Sequence, residues 1–147
     1  MVEADLPHVA SLDIGGSRGP EGWVAWNRES YARHGFGLWV IETPAGEFVG
    51  DCGLTMQQVQ GEWLVEAGWH VRAALRRQGY AAEAAEAVRG TAKGLGVAHL
   101  IAIIRPDNLA SQAVARKIGL ELEREVHQHG GPALIFGADL HPLGTGR

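Results

Sequence analysis

Arg76-Arg77-Gln78-Gly79-Tyr80-Ala81 is a short basic loop with one glycine, set between two patterned runs. Before it, Leu64, Glu66, Gly68 and His70 alternate with Val65, Ala67, Trp69 and Val71, the period of a strand. After it, residues 81–95 are rich in alanine, with Glu83, Glu86, Arg89 and Lys93 marking the wet side of a helix whose small residues let it lie close to a sheet. A strand, a basic glycine loop and a helix in that order predict an anion site. The first amides of the helix lack intrahelical acceptors, the helix dipole adds partial positive charge, and Gly79 lets a ligand approach the backbone. The expected guest is a phosphate.

Spacing removes two nucleotide motifs that share this physics. No stretch supplies the Gly-x-x-x-x-Gly-Lys-Ser/Thr of a Walker A loop. Gly94-Leu95-Gly96 starts like a dinucleotide fingerprint, but His99 stands where the third glycine belongs and the run precedes a strand, so it reads as a helix stop.

Working outward toward the C-terminus, residues 98–104 are almost unbrokenly apolar, as in a strand buried on both faces. Strand, crossover helix and strand imply a right-handed parallel pair. Pro106-Asp107-Asn108 opens the next helix with Asp107 or Asn108 as cap, Arg116 and Lys117 in its last turn and Gly119 just beyond it. Strands at 120–126 and 133–140 close the fold, and a glycine-containing tail from Pro142 is expected to fray. Toward the N-terminus, strands are expected at 36–42 and 47–54, joined through Thr43-Pro44-Ala45-Gly46, with a second, polar turn over 56–62. With 63–71 these make an antiparallel meander. Residues 5–12 read as a short helix capped by Asp5, 15–22 as a loop, and 21–33 as a second helix ended by His34-Gly35. Its Trp23, Trp26 and Tyr31 read first as core packing, with a substrate wall as the alternative.

The 147 residues are read as a single domain, 1–147, an α/β chain with a mixed sheet and enough length for a proper core. A hydrophobic share of 46% with 20% charged residues is globular, and no apolar run approaches the roughly 18 residues that span a bilayer. Absence of an apolar leader and a lone cysteine, Cys52, fit a cytoplasmic protein. Net charge −4, with few clustered basic residues, argues against a nucleic-acid surface. His127 and His129 have no third ligand nearby in sequence, so no metal is expected.

Arg76, Gly79 and Ala81 satisfy Arg/Gln-x-x-Gly-x-Gly/Ala, which resembles the pyrophosphate loop of the GNAT superfamily of acyl-CoA-dependent N-acyltransferases. Asn108-Leu109-Ala110-Ser111 followed by Arg116-Lys117-Ile118-Gly119-Leu120 is similar to the Asn-x-x-Ser…Lys-x-Gly-Phe/Leu segment of that family, most closely of its RimJ/RimL-like members. Glu66-Ala67-Gly68-Trp69-His70-Val71 resembles the family's Glu-x-Gly-Tyr/Trp strand before the loop. The strong resemblance covers 62–126, and a weaker one extends back to about residue 5.

The resemblance implies the GNAT fold, with acetyl-CoA as cosubstrate and transfer of its acetyl group to a primary amine, on a small molecule or a protein N-terminus, by direct attack. Backbone groups of Trp69 and Val71 are then expected to pair with the pantetheine arm, the loop Arg76, Arg77, Gln78, Gly79, Tyr80 and Ala81 to hold the pyrophosphate, and Asn108 to bond the pantetheine. A solvated basic turn for the two arginines, and a simple helix cap for Asn108, are the plainer alternatives. Glu66 is the candidate base, acting through water, with His70 on the same strand face in reserve. Many relatives carry a tyrosine seven residues after the asparagine as general acid. Here that position is Ala115, which leaves the Ser111 hydroxyl as the candidate neighbour of the leaving sulfur. The family also opens with a strand, for which residues 1–4 are too short. That edge strand is expected to be missing or vestigial, or to lie upstream, and an exposed edge would invite a second copy as a homodimer. Two other functions stay open: an aminoglycoside-type antibiotic acetyltransferase, and a CoA-binding module without turnover.

Overall fold

The computed structural model describes residues 1–12, 19–128 and 130–141. The His129 reading, the tail from Pro142 and residues 15–18 of the expected loop lie outside them, while 19–22, also expected as loop, are helical.

A 3-10 turn, Glu3–Asp5, leads into α1, Leu6–Ser11. Asp5 caps the turn and not the helix, since its carboxylate accepts from the Val2 amide at 2.7 Å and makes no cap bond at α1. The second helix, α2, runs Gly19–His34 and stops at Gly35, whose φ of 78° suits a helix end. Its buried positions are Val24, Asn27 and Ser30, so the packing stripe is not the aromatic one expected from sequence. Asn27 is fully buried and satisfied: it donates to the Trp23 carbonyl and accepts the Leu38 amide at 2.8 Å, fastening α2 to the first strand.

Among the described residues, six strands form one sheet in the order β1-β2-β3-β4-β6-β5. They are β1 Leu38–Glu42, β2 Phe48–Val59, β3 Glu62–Val71, β4 His99–Ile104, β5 Glu121–Gln128 and β6 Gly131–Asp139. Among the described residues no strand precedes β1, which pairs antiparallel with β2. The polar turn expected over 56–62 shrinks to Gln60-Gly61, because both residues take positive φ, 51° and 85°, and a two-residue turn of that kind matches the twist of its strands. Met56–Val59 therefore belong to β2. β3 and β4 are parallel through Val65↔Leu100 and Glu66↔Ile101, and β6 inserts antiparallel between β4 and β5. The crossover is α3, Tyr80–Gly94, and α4, Leu109–Lys117, follows β4.

The chain forms two compact units, 1–55 with 68–84 and 56–67 with 85–147. In the first, Val9, Leu38, Val49 and Leu54 are buried at the centre. In the second, Val59, Ile101, Val126, Ala133 and Ile135 form one apolar cluster flanked by Leu64 and Ile103. Arg89, expected on the wet side of α3, instead donates to the Ile118 carbonyl at 2.6 Å and so closes the end of α4.

One end of the second unit is held by a histidine bridge. His99 on β4 meets Asp139 on β6 at 2.7 Å through Nδ1, and Glu123 on β5 at 2.9 Å through Nε2. Glu123 reaches it because it is the extra residue of a bulge between Leu122 and Arg124 and lies over Gly137, where a Cβ would come within 2.6 Å of its carboxylate. Burial, the largest single influence on His99, disfavours the imidazolium, but the hydrogen bonds to Asp139 and Glu123 and their charges together outweigh it, and the pKa is raised. A raised pKa in the folded state stabilises the protein below the ordinary histidine value, and that contribution is lost as pH rises through the folded value. Urea unfolding of the protein and of His99→Gln should therefore differ most below the ordinary histidine value, and the difference should narrow as pH rises above it. A gap that widens with pH would contradict the bridge.

Candidate active site

The loop between β3 and α3 does what its sequence requires. After Val71 the chain makes a 3-10 turn, Ala73–Leu75, extends at Arg76 and then takes positive φ at Arg77, 65°, and Gly79, 84°. Two left-handed residues so close reverse the chain and start α3 at Tyr80, with Gly79 supplying the first helical acceptor, for the Glu83 amide at 3.0 Å. A side chain at Gly79 would project into open space, so the glycine is required by its backbone conformation and leaves the helix start uncovered. Arg76, Arg77, Gln78 and Gly79 are exposed, and Tyr80 and Ala81 are half-buried.

The donor set suits an anion. Opening amides of α3 have no intrahelical acceptor, the helix dipole points its positive end the same way, and Arg76 and Arg77 precede them in the chain. Arg72, at the head of the loop, pairs with Glu47 at 3.1 Å through Nη2, while its Nε is buried without a protein acceptor among the described residues. Arg76 folds back, with Nε donating to the Val71 carbonyl at 3.0 Å. That carbonyl, expected to pair with pantetheine, is thus engaged by the loop in this conformation.

In the same unit, β2 carries a buried carboxylate. Asp51 is 1% exposed and accepts from two directions: its Oδ1 lies 2.6 Å from His70 Nδ1 on β3, and its Oδ2 3.4 Å from Trp23 Nε1 on α2. Gly50 permits this approach, since any Cβ there would overlap the His70 carbonyl oxygen. The same charge acts on its neighbours. Burial first, and Asp51 second, push the Cys52 thiol up to about 11, and the same two influences raise Tyr31. Tyr31 donates its hydroxyl to the Leu38 carbonyl. Sequence reading overlooked Asp51. The signal was available: an acidic residue inside Phe48-Val49-Gly50-Asp51-Cys52-Gly53-Leu54, on a strand otherwise made to be buried, needs a partner.

In the second unit, Glu66 spans the parallel pair. One carboxylate oxygen accepts the Ile103 amide at 3.0 Å, two residues past the last registered pair, Glu66↔Ile101. A side chain replaces the neighbouring strand as partner of β4 there. Asn108 caps α4, its Oδ1 accepting the Ser111 amide at 3.1 Å, and Ser111 is half-buried. Gly119, with φ 86°, and the Leu120 amide bonded to the Ala115 carbonyl close the helix as expected. Ala115, where a tyrosine would carry the acid, is completely buried. Among the described residues no three His, Cys, Asp or Glu side chains gather into a metal site, and no helix is long and apolar enough to cross a membrane.

The family model described as "Acetyltransferase (GNAT) domain" matches residues 14–121. The chain is 32% identical over 118 residues to the uncharacterized protein YkkB of Bacillus subtilis (strain 168), covering 78% of this chain and 67% of that protein. A ribosomal-protein-alanine N-acetyltransferase from Brucella melitensis superposes with TM-score 0.76 at 24% identity, over 95% of this chain and 96% of that one. A phosphinothricin acetyltransferase from Sinorhizobium meliloti, in complex with acetyl-CoA, does so with TM-score 0.75 at 19% identity, over 95% and 85%.

The capping role of Asn108 is separable from any other. Asn108→Ala should cost about 1 kcal/mol in chemical denaturation, whereas Asn108→Ser should keep most of it. Equal losses from both would show that the cap contributes little.

Proposed function

The chain belongs to the GNAT acetyltransferase family, and on that premise we propose that it is an acetyl-CoA-dependent N-acetyltransferase, one domain long, that acetylates a primary amine. Acetyl-CoA is the cosubstrate of this family and supplies an activated acetyl thioester. The observation that carries the proposal is the exposed start of α3 behind the left-handed Gly79, with Arg76 and Arg77 just before it in the chain. Amides from Arg77 to Ala81 hold the pyrophosphate, and the two arginines add charge that anchors it. Trp69 and Val71 offer the pantetheine a strand edge once the Arg76 side chain releases the Val71 carbonyl.

The remaining roles fall to three side chains. Asn108, already a cap through Oδ1, keeps its amide donor for the pantetheine. Ser111 donates its hydroxyl to the departing sulfur, which makes a hydrogen bond the means of tolerating the thiolate where a tyrosine acid is absent. Glu66 is the base for the acceptor's ammonium, acting through an ordered water. The acceptor is a small-molecule amine or a protein N-terminus. The Brucella melitensis structure bears a name that favours the second and the Sinorhizobium meliloti structure one that favours the first.

Free thiol released from acetyl-CoA should appear with at least one member of a panel of small amines, aminoglycosides and N-terminal peptides. Calorimetric binding of CoA with no thiol from any of them would leave a binding module instead. Gly79→Glu, which sets a carboxylate at the helix start and strains the backbone, should weaken CoA binding at least ~100-fold, since two or more charge-assisted bonds are lost. Unchanged affinity would remove the loop from the site.

A further inference from the structure

The last residue of β3 carries an acceptor that its own sheet does not claim. The Arg72 amide donates to the Val49 carbonyl at 2.8 Å, so the backbone groups of Arg72 turn toward β2 and, by the alternation of a strand, those of Val71 face the other way. On that side the registered pairing of β3 with β4 reaches only Glu66↔Ile101. The Val71 carbonyl accepts instead from the Arg76 side chain, through Nε at 3.0 Å. A 3-10 turn, Ala73–Leu75, closed by the Leu75 amide on the Arg72 carbonyl at 2.9 Å, lets that side chain double back. A donor 3.0 Å from the carbonyl stands where the backbone of an added strand would run, because paired strands lie about 4.8 Å apart with their N–H groups aimed at such oxygens. Arg76 therefore covers the edge assigned to the pantetheine, and it belongs to the loop assigned to the pyrophosphate.

We propose that Arg76 is a latch that yields the strand edge to pantetheine when a pyrophosphate draws it off, and that it thereby selects coenzyme A thioesters over thioesters carried on pantetheine alone. The proposal rests on the acetyl-CoA reading of this loop and deepens it. A guanidinium on one neutral carbonyl has the weaker of two partners. A pyrophosphate at the start of α3 carries full negative charge and accepts the fork of Nε and Nη bidentately. Arg76 is exposed, so little packing opposes the exchange. Once released, the Val71 carbonyl accepts an amide N–H of the pantetheine arm. A ligand without the pyrophosphate has to break the Arg76 bond with nothing to replace it, and its affinity falls accordingly. The two halves of coenzyme A consequently bind cooperatively, each strengthening the other by the same factor, as linkage requires. One hydrogen bond sets that factor at roughly 3- to 10-fold.

The full chain and Arg76→Ala are compared by NMR titration with CoA, with pantetheine, and with pantetheine in saturating inorganic pyrophosphate. Removal of the latch should lower the pantetheine Kd ~3- to 10-fold while raising the CoA Kd, since the variant also loses a phosphate contact. Affinities that move in opposite directions are not the result of a loop that is merely damaged, which would weaken both. Pyrophosphate should lower the pantetheine Kd of the parent by a similar factor and leave that of Arg76→Ala unchanged. The parent's response to pyrophosphate needs no variant, so it decides the matter even where Arg76→Ala fails to fold. Pantetheine bound equally or more weakly by folded Arg76→Ala, or a parent whose pantetheine affinity is indifferent to pyrophosphate, would overturn the latch, and CoA binding by the parent would leave the acetyl-CoA reading standing. A parent that does not bind CoA would end that reading and the latch with it.

Discussion

Everything at the candidate site depends on a backbone constraint, the pair of positive φ angles at Arg77 and Gly79. A strand cannot pass directly into a helix lying across the sheet, and two left-handed residues within three positions make the reversal. Glycine accepts that conformation without cost, whereas Arg77 pays roughly 1–2 kcal/mol for it. Strain of that size persists where surrounding structure or function holds it. Its result is a helix whose opening amides are uncovered and whose dipole faces solvent, preceded in the chain by arginines.

The sheet makes two further arrangements from the same economy of partners. β4 continues past its registered pairs with β3, and the Ile103 amide there is satisfied by the Glu66 side chain. Leaving such an amide unmet inside a sheet would cost about 1–3 kcal/mol, so the carboxylate is bound into the structure before it does any chemistry. Asp51 presents the opposite situation. A carboxylate that deep is costly unless paired, and His70 and Trp23 pair it. Among the described residues, the carboxylate partner of His70 is buried, whereas the two partners of His99 are not.

Much of this was legible in the sequence, because it lies in local chemistry. The loop, the crossover helix, the parallel pair and the α4 cap with its closing Gly119 each depend on residues adjacent in the chain, and each stands where the pattern put it. The parts that were not legible depend on long-range pairing. Gln60-Gly61 takes a tight turn only because β2 and β3 are in register on both sides of it, so a polar run that read as loop became strand. Arg89 looked solvated until the end of α4 came within its reach, and the stripe of α2 is Val24, Asn27 and Ser30 because Leu38 supplies the amide that Asn27 needs. Asp51 and His70 are far apart in sequence, and neither alone announces the other.

The central claim is that the start of α3 grips the pyrophosphate of coenzyme A. Its most direct measurement is the amide spectrum of the nitrogen-labelled protein titrated with CoA and, separately, with a CoA fragment lacking the pyrophosphate. With CoA, the largest shifts should fall on the amides of residues 77–81, and the fragment should leave them in place while still moving those of Trp69 or Val71. CoA binding that leaves the amides of 77–81 unmoved, or a fragment that shifts them as much as CoA does, would contradict the account.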